Sequence, residues 1–319
     1  MKLIIQIPCY NEEATLGVAL AALPRKLPGV DIIEWLIVDD GSQDRTIEVA
    51  KACGVDHIVS LGSHKGLARG FMAGVEACLG FGADIIVNTD ADNQYEAADI
   101  PKLVEPILRG EAQIVIGERP ISEVAHFSPL KKGLQKIGSM VVRIASGTDV
   151  ADAPSGFRAI TRDAAMQLNV FSRYTYTLET IIQAGRKNIP VKSVPIRTNE
   201  FLRPSRLMRS MRAYILRSIL TIFRILLTYR PLWFFSVLGT LPLAFGIGLG
   251  IRWCVLYFQN PMRGHVPSLI LATIFVLVGV QLFVLGLIAD LIAVNRTLLE
   301  DIQLRRRRQD FGHPQPGNS

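Results

Sequence analysis

At 319 residues the chain is long enough for one large domain or two smaller ones, and it carries 35 Lys and Arg against 28 Asp and Glu. The excess is lopsided: residues 1–200 hold 21 basic and 24 acidic side chains, whereas residues 201–319 hold 14 and 4. A near-neutral front half joined to a basic, apolar back half suggests a folded domain tied to an anionic surface, and the alternation of basic residues with long apolar runs favours lipid over nucleic acid.

In chain order, Leu3–Ile7, Trp35–Val38, His57–Ser60, Asp84–Asn88 and Ile114–Gly117 are short runs rich in Ile and Val and read as buried strands. Helical stretches near Glu13–Leu23, Thr46–Cys53, Leu67–Leu79 and Ile100–Arg109 separate them. Such alternation predicts an α/β fold, a mostly parallel sheet flanked by helices on both faces. Ligands in these folds sit at the carboxyl ends of the strands. Polar clusters stand at three such ends: Pro8–Glu13, Asp39–Ser42 and Thr89–Gln94. Cys9, Cys53, Cys78 and Cys254 form no CxxC pair and no metal-ligand spacing, so reduced thiols are expected. Charged residues so soon after Met1 speak against a secretory leader.

The back half changes character. Leu232–Ile251 is uncharged for 20 residues and Val266–Ala289 for 24, each enough to cross the ~30 Å hydrocarbon layer. Only Arg252–His265 separates them, which predicts a two-span hairpin. Seven arginines from Arg203 to Arg230 precede it and Arg305–Arg308 follow, while the short loop holds only Arg252 and Arg263. The positive-inside rule then puts both termini in the cytosol. Spans without an ionisable residue suit an anchor better than a channel. Gly246 and Gly250 have the spacing of a helix contact, a pattern that chance also produces. Ser205–Tyr229 places Arg206, Arg209, Arg212 and Arg217 opposite Leu207, Met211, Tyr214 and Ile215, as in a helix lying among lipid headgroups. The organisation expected is a catalytic domain over 1–204, an interfacial helix over 205–230, the hairpin over 231–290 and a basic cytosolic tail over 291–319.

The chemistry lies in the polar clusters. Asp90 and Asp92 arrive together at a strand end, where a hard divalent cation takes carboxylate and phosphate oxygens. Asp39-Asp40-Gly41-Ser42 adds a second acidic cluster, part of it turn and helix-cap chemistry, and Gln94 adds a neutral amide. His64-Lys65-Gly66 with Gly70 and Gly74 is not a phosphate loop, since the order is wrong; the glycines fit close helix packing better. No GxSxG, HExxH or GxGxxG occurs.

"IPCYNEE" (7–13), "IVDDGSQDRT" (37–46), "KGLARGFMAG" (65–74), "NTDADNQYEAADIPKLV" (88–104), "IGER" (116–119) and "SGFRAI" (155–160) resemble the family 2 glycosyltransferases, more narrowly the dolichyl- or polyprenyl-phosphate sugar synthases. The likeness spans roughly residues 1–210, and the paired apolar runs resemble the subgroup with a membrane hairpin. It implies a GT-A-like fold and a nucleotide-diphosphate-sugar donor, UDP- or GDP-linked, bordered by Pro8, Tyr10, Glu12, Val38, Asp40, Asp90, Ala91 and Asp92. It further implies Mg²⁺ or Mn²⁺ on Asp90, Asp92 and Gln94. Asp92, Arg119, Lys131, Arg203 and Arg206 would be catalytic, with Arg119 and Lys131 beside the donor and acceptor phosphates. Tyr95-Glu96 stand where a His-Pro or Asp-Pro pair commonly follows the Gln. Partners implied are the lipid phosphate and membrane lipids, with no nucleic acid; since related anchored enzymes can assemble, a homo-oligomer is compatible.

A lipid phosphate with a second pKa near ~6 is ionised at neutral pH and attacks without a general base. In-line attack at the anomeric carbon then predicts inversion. A hydroxyl acceptor, as in polysaccharide or glycolipid synthases, would need a base, and Trp35, Trp233 and Trp253 sit in no Gln-x-x-Arg-Trp motif. A degenerate membrane scaffold is the non-enzyme alternative, and intact Asp40, Asp90 and Asp92 speak against it.

Overall fold

The computed structural model describes residues 1–120, 139–170, 176–199, 220–221, 223–259 and 266–311. The chain divides into two compact units, Met1–Ser218 with Ile302–Ser319 and Ile219–Asp301.

The first unit is built on one seven-stranded sheet. β1 (Lys2–Cys9), β2 (Ile32–Asp39), β3 (His57–Ser60), β4 (Ile85–Asn88) and β5 (Ile114–Glu118) are the expected strands. β6 (Arg158–Thr161) and β7 (Val191–Pro195) are additional. The order is β3-β2-β1-β4-β6-β5-β7, with β6 antiparallel to β4 and β5 and every other pair parallel. α1 (Leu16–Ala22), α2 (Thr46–Ala52), α3 (Leu67–Gly80), α4 (Ile100–Leu108), α5 (Arg162–Gln167) and α6 (Thr177–Arg186) flank it. Leu3, Ile4 and Ile5 are consecutive and all fully buried, so β1 is covered on both faces, as its unbroken apolar run requires. Ile5, Ile37 and Val87 from the strands join Leu20 and Val104 from the helices in one core. The order reverses between β1 and β4, which makes their carboxyl ends the natural crevice for a ligand.

α3 supplies the closest helix-to-sheet contact. A Cβ on Gly74 would lie 2.4 Å from Gln6 Oε1 and 2.8 Å from Val38 Cγ2, whereas one on Gly70 would meet only Pro8 Cβ, at 3.8 Å. The glycine spacing therefore serves packing at Gly74. Gly66 serves differently, as the residue ahead of the helix with φ +94°.

In the second unit, α7 (Pro231–Gln259) and α8 (Val266–Phe311) are long and apolar enough to cross a membrane. α8 runs past the end of the predicted span, and its residues from Ile302 belong to the first unit. Small residues seven apart, Gly239 and Gly246 on α7 with Ala272, Gly279 and Gly286 on α8, bring the two backbones together. A Cβ on Gly246 would lie 2.9 Å from the Ala272 carbonyl oxygen, and one on Gly239 3.0 Å from that of Gly279. Gly250 meets nothing, so only the first member of the Gly246/Gly250 pair is a contact. Outward side chains such as Leu241 and Phe258 are 72% and 84% exposed, as suits lipid contact. Of the predicted interfacial segment 205–230, residues 205–219 and 222 lie outside the described residues, and 223–229 are helical.

Gly74→Ala should destabilise the protein by about 1–3 kcal/mol through overpacking. Gly70→Ala, with ordinary contact distance and better helix propensity, should be neutral or slightly stabilising. Thermal melts of the two variants in one detergent check the contrast.

Candidate active site

The first wall of the site is made where the loops after β1 and β2 knit together. In parallel register Pro8 pairs with Val38 and Cys9 with Asp39, so both loops leave the sheet side by side. Asn11, at φ +54°, donates its N–H to Ser42 Oγ at 2.9 Å, and Glu12 donates its N–H to Thr46 Oγ1 at 2.8 Å. Asp39 and Asp40 then divide the work. Asp39 closes its own turn, accepting from the Ser42 N–H at 3.0 Å and Ser60 Oγ at 3.2 Å. Asp40 accepts from the N–H groups of Lys65 (2.7 Å) and Gly66 (2.9 Å) and from His64 Nδ1 (2.8 Å). Those two amides serve a carboxylate of the protein itself, which is why the Lys65-Gly66 turn is no phosphate loop. The His64 ring is held against Tyr10, with centroids 4.1 Å apart. Pro8, Tyr10, Val38 and Asp40 are thus neighbours, with Val38 buried against α3.

The second wall rises from β4. Its last residue, Asn88, leads into Thr89, Asp90, buried Ala91, Asp92 and Asn93, whose φ of +57° turns the chain. Asp92 Oδ1 accepts the N–H of Gln94 at 3.1 Å. Burial, reinforced by Asp92 and more weakly by Glu12, pushes the Asp90 carboxyl up to about 7, against the pull of Arg119 and Arg158. Two carboxylates on one tight turn thus repel each other, and a divalent cation relieves that repulsion. Oxygen-only donors of this kind suit Mg²⁺ or Mn²⁺ completed by phosphate oxygens. Among the described residues no third acidic, His or Cys side chain gathers with them.

Arg119 follows β5 and faces the same edge. Its Nε and Nη2 donate to Asp152 Oδ2 and Oδ1 at 2.7 and 2.9 Å, a two-pronged ion pair with Asp152 fully buried. Burial opposes the charge, but the Asp152 contact outweighs it and raises the Arg119 pKa, so this cation is permanent. Lys131, Arg203 and Arg206 lie outside the described residues.

Residues 4–168 match the family described as "Glycosyl transferase family 2", over half of the chain. The chain belongs to that family. As a family 2 member it is an enzyme, a glycosyltransferase. It is 28% identical over 206 residues to an undecaprenyl-phosphate mannosyltransferase of Micrococcus luteus, covering 61% of this chain and 83% of that one. It is also 28% identical over 214 residues to a UDP-N-acetylglucosamine–dolichyl-phosphate N-acetylglucosaminyltransferase of Methanococcus voltae, covering 60% and 83%. In fold it matches glucosyl-3-phosphoglycerate synthase of Mycobacterium tuberculosis, solved with Mn²⁺ and UDP, at a TM-score of 0.52 and 22% identity over 69% of this chain and 79% of that one. The fold of this glycosyltransferase is GT-A-like.

Sequence reasoning missed Asp152, His64, and the partners of the carboxylate turn. Tyr95, the departure from the family pattern, is fully used: its hydroxyl accepts the Gly156 N–H at 2.9 Å and its ring stacks on Phe157. Asp99 ends the turn by gripping the segment after β7. It accepts from the Arg197 N–H (2.7 Å), Arg197 Nη2 (2.8 Å) and Lys102 Nζ (2.9 Å). Burial opposes its ionisation, yet bonds from Arg197 and Lys102 prevail and hold it at about 2. A carboxylate so depressed contributes stability that is fully present above its unfolded pKa near ~4 and lost as pH falls through ~2. The contribution is at most roughly 2 kcal/mol, less after screening of the exposed Arg197 and Lys102. Asp99→Asn should lower the melting temperature at pH 7 and flatten its decline between about pH 4 and 2, where the wild type should fall more steeply.

Proposed function

We propose that this glycosyltransferase moves a hexosyl group from a UDP- or GDP-linked sugar to a polyprenyl or dolichyl phosphate at the cytosolic face of a membrane, with inversion. The observation that carries the reading is the Asp90–Asp92 turn beside Arg119 at the switch point of the sheet, in a family 2 chain that also bears two apolar helices. The relatives act, by name, on undecaprenyl phosphate and dolichyl phosphate, which supports the acceptor class.

Pro8, Tyr10, Glu12 and Val38 border the nucleotide, and Asp40 shapes that wall by holding the 64–66 turn. Asp90 and Asp92, helped by the Gln94 amide, would hold Mg²⁺ or Mn²⁺, which when bound would supply Lewis-acid stabilisation of the diphosphate leaving group. Arg119 adds a fixed cation that Asp152 keeps from swinging away, so no reorganisation is needed as charge develops. Lys131, Arg203 and Arg206 supply the remaining cations for donor and acceptor phosphates. The acceptor phosphate is ionised at neutral pH, which removes the need for a base. Its oxygen attacks the anomeric carbon, forming the new C–O bond as the bond to the nucleotide diphosphate breaks; the diphosphate leaves with the bonding pair as a trianion, and the dianionic acceptor becomes a singly charged phosphodiester. The apolar helices anchor the enzyme in two spans with both termini cytosolic. Residues up to Ser218 and from Ile302 fall in one compact unit, as expected for a chain that enters and leaves the bilayer on one side.

Asp92→Asn should cut transfer by at least about a hundredfold, since one lost transition-state charge contact is worth ~3–4 kcal/mol. Its nucleotide-free melting temperature should barely move. Chelator should abolish wild-type transfer and Mg²⁺ or Mn²⁺ restore it; near-normal turnover by Asp92→Asn, or full activity in chelator, would refute the metal reading. For topology, with Cys254 replaced by Ser, a cysteine at position 260 should react with an impermeant reagent from outside the cell and one beyond Arg308 should not.

A further inference from the structure

Asn88 and Tyr95 stand at the two ends of the turn that carries Asp90 and Asp92, and both close on one distant residue. Asn88 Nδ2 donates to the carbonyl oxygen of Gly156 at 2.8 Å, and the Gly156 N–H donates to the Tyr95 hydroxyl at 2.9 Å. Gly156 is thereby gripped through both of its backbone polar groups. It lies directly against the first carboxylate: a Cβ there would stand 3.3 Å from both Asp90 Oδ1 and Oδ2, and 2.9 Å from the Tyr176 hydroxyl. The grip is itself braced. Asn88 Oδ1 accepts from Gln6 Nε2 at 2.9 Å, Asn88 Nδ2 also reaches the Tyr176 hydroxyl at 2.9 Å, and the Tyr176 ring stacks on Phe71 at 3.9 Å between centroids. Asn88, Tyr95 and Tyr176 are all buried.

Any core pairs its buried polar groups, so hydrogen bonding alone would signify little. Here the bonds converge from both ends of one turn on the single backbone segment against which Asp90 lies. Removing a partner that orients a metal ligand typically costs roughly 10–100-fold in metal affinity. We infer that Asn88 and Tyr95 are positioning residues which, through Gly156, fix the placement of the Asp90 carboxylate, one of the two, with Asp92, that would receive a divalent cation. This rests on the reading of those carboxylates as cation ligands. A side chain at Gly156 would collide first with the Tyr176 hydroxyl and would press more lightly on Asp90.

The test uses the full-length protein in detergent with UDP or GDP present, and measures Mn²⁺ binding directly by electron paramagnetic resonance. Tyr95→Phe keeps the ring and its stacking on Phe157 but removes the acceptor for the Gly156 N–H; Asn88→Ala acts from the other end of the turn. Each should raise the Mn²⁺ dissociation constant about tenfold or more. With Tyr95→Phe, kcat should recover at saturating Mn²⁺ while the metal requirement stays high. Melting temperature in chelator serves as the control for stability. Wild-type Mn²⁺ affinity in Tyr95→Phe, whether or not its melting temperature falls, would overturn the inference and leave the metal reading standing. Failure of the wild type to bind Mn²⁺ with either nucleotide would overturn the metal reading itself, and this inference with it.

Discussion

The burial of the Asp90 carboxyl, with Asp92 beside it on one turn, is the constraint around which the candidate site is arranged. Burial, with Asp92 beside it, pushes the Asp90 carboxyl up to about 7. The protein places Arg119 and Arg158 nearby but leaves the pair short of neutrality, since Arg119 is already matched by Asp152. The Gln94 N–H bond to Asp92 Oδ1 and the left-handed Asn93 shape the turn that carries the pair.

The sheet topology follows from the same need. β6 runs antiparallel to β4, with Arg158 opposite Asn88, so its amino-terminal approach lies at the carboxyl end of β4. A parallel β6 would deliver Ser155-Gly156-Phe157 to the opposite edge, away from Asp90. β5, parallel to β7, delivers Arg119 to the working edge in the ordinary way. One reversed strand thus brings a backbone platform, and two strands of opposite sense bring the platform and the cation to one place. Arg158 is fully buried and ties this reversal to α6 through the Thr177 carbonyl oxygen and Thr180 Oγ1, at 3.3 and 2.6 Å.

What the sequence made legible, and what it hid, divides along the range of the interactions. β1, β2, β4 and β5 announced themselves because burial on both faces demands runs of Ile and Val; β3 was legible from Ile58-Val59, but it is a half-exposed edge strand and not the buried one expected. β6 is four residues with an Arg at its head, and β7 is a partly exposed edge strand ending in Pro, so neither carries that pattern. The carboxylates were readable because strand ends and turn residues are local features. Their supports were not, since Asp152 lies 33 residues from Arg119 and Gly156 lies 61 from Tyr95. Likewise Gly246 invited pairing with Gly250, but the helix contact uses every seventh residue, a period visible only when both helices are compared.

The basic run Arg305–Arg308 shows how a structural contact changes the meaning of a charge. Counted along the sequence, these four residues are simply the positive flank of the second apolar helix. In the structure Arg307 is largely buried on the catalytic unit, donating to the Leu168 carbonyl oxygen at 2.6 Å, Asn169 Oδ1 at 3.0 Å and Glu76 Oε1 at 2.8 Å. Arg162 answers from the other side, bonding the Phe311 carbonyl oxygen together with those of Leu79 and Ala83. Arg307 is therefore a fastening of α8 to the catalytic unit and not simply one more flanking charge. Of the contacts named, four join the end of α8 to the catalytic unit: those of Arg307 with Leu168, Asn169 and Glu76, and that of Arg162 with Phe311.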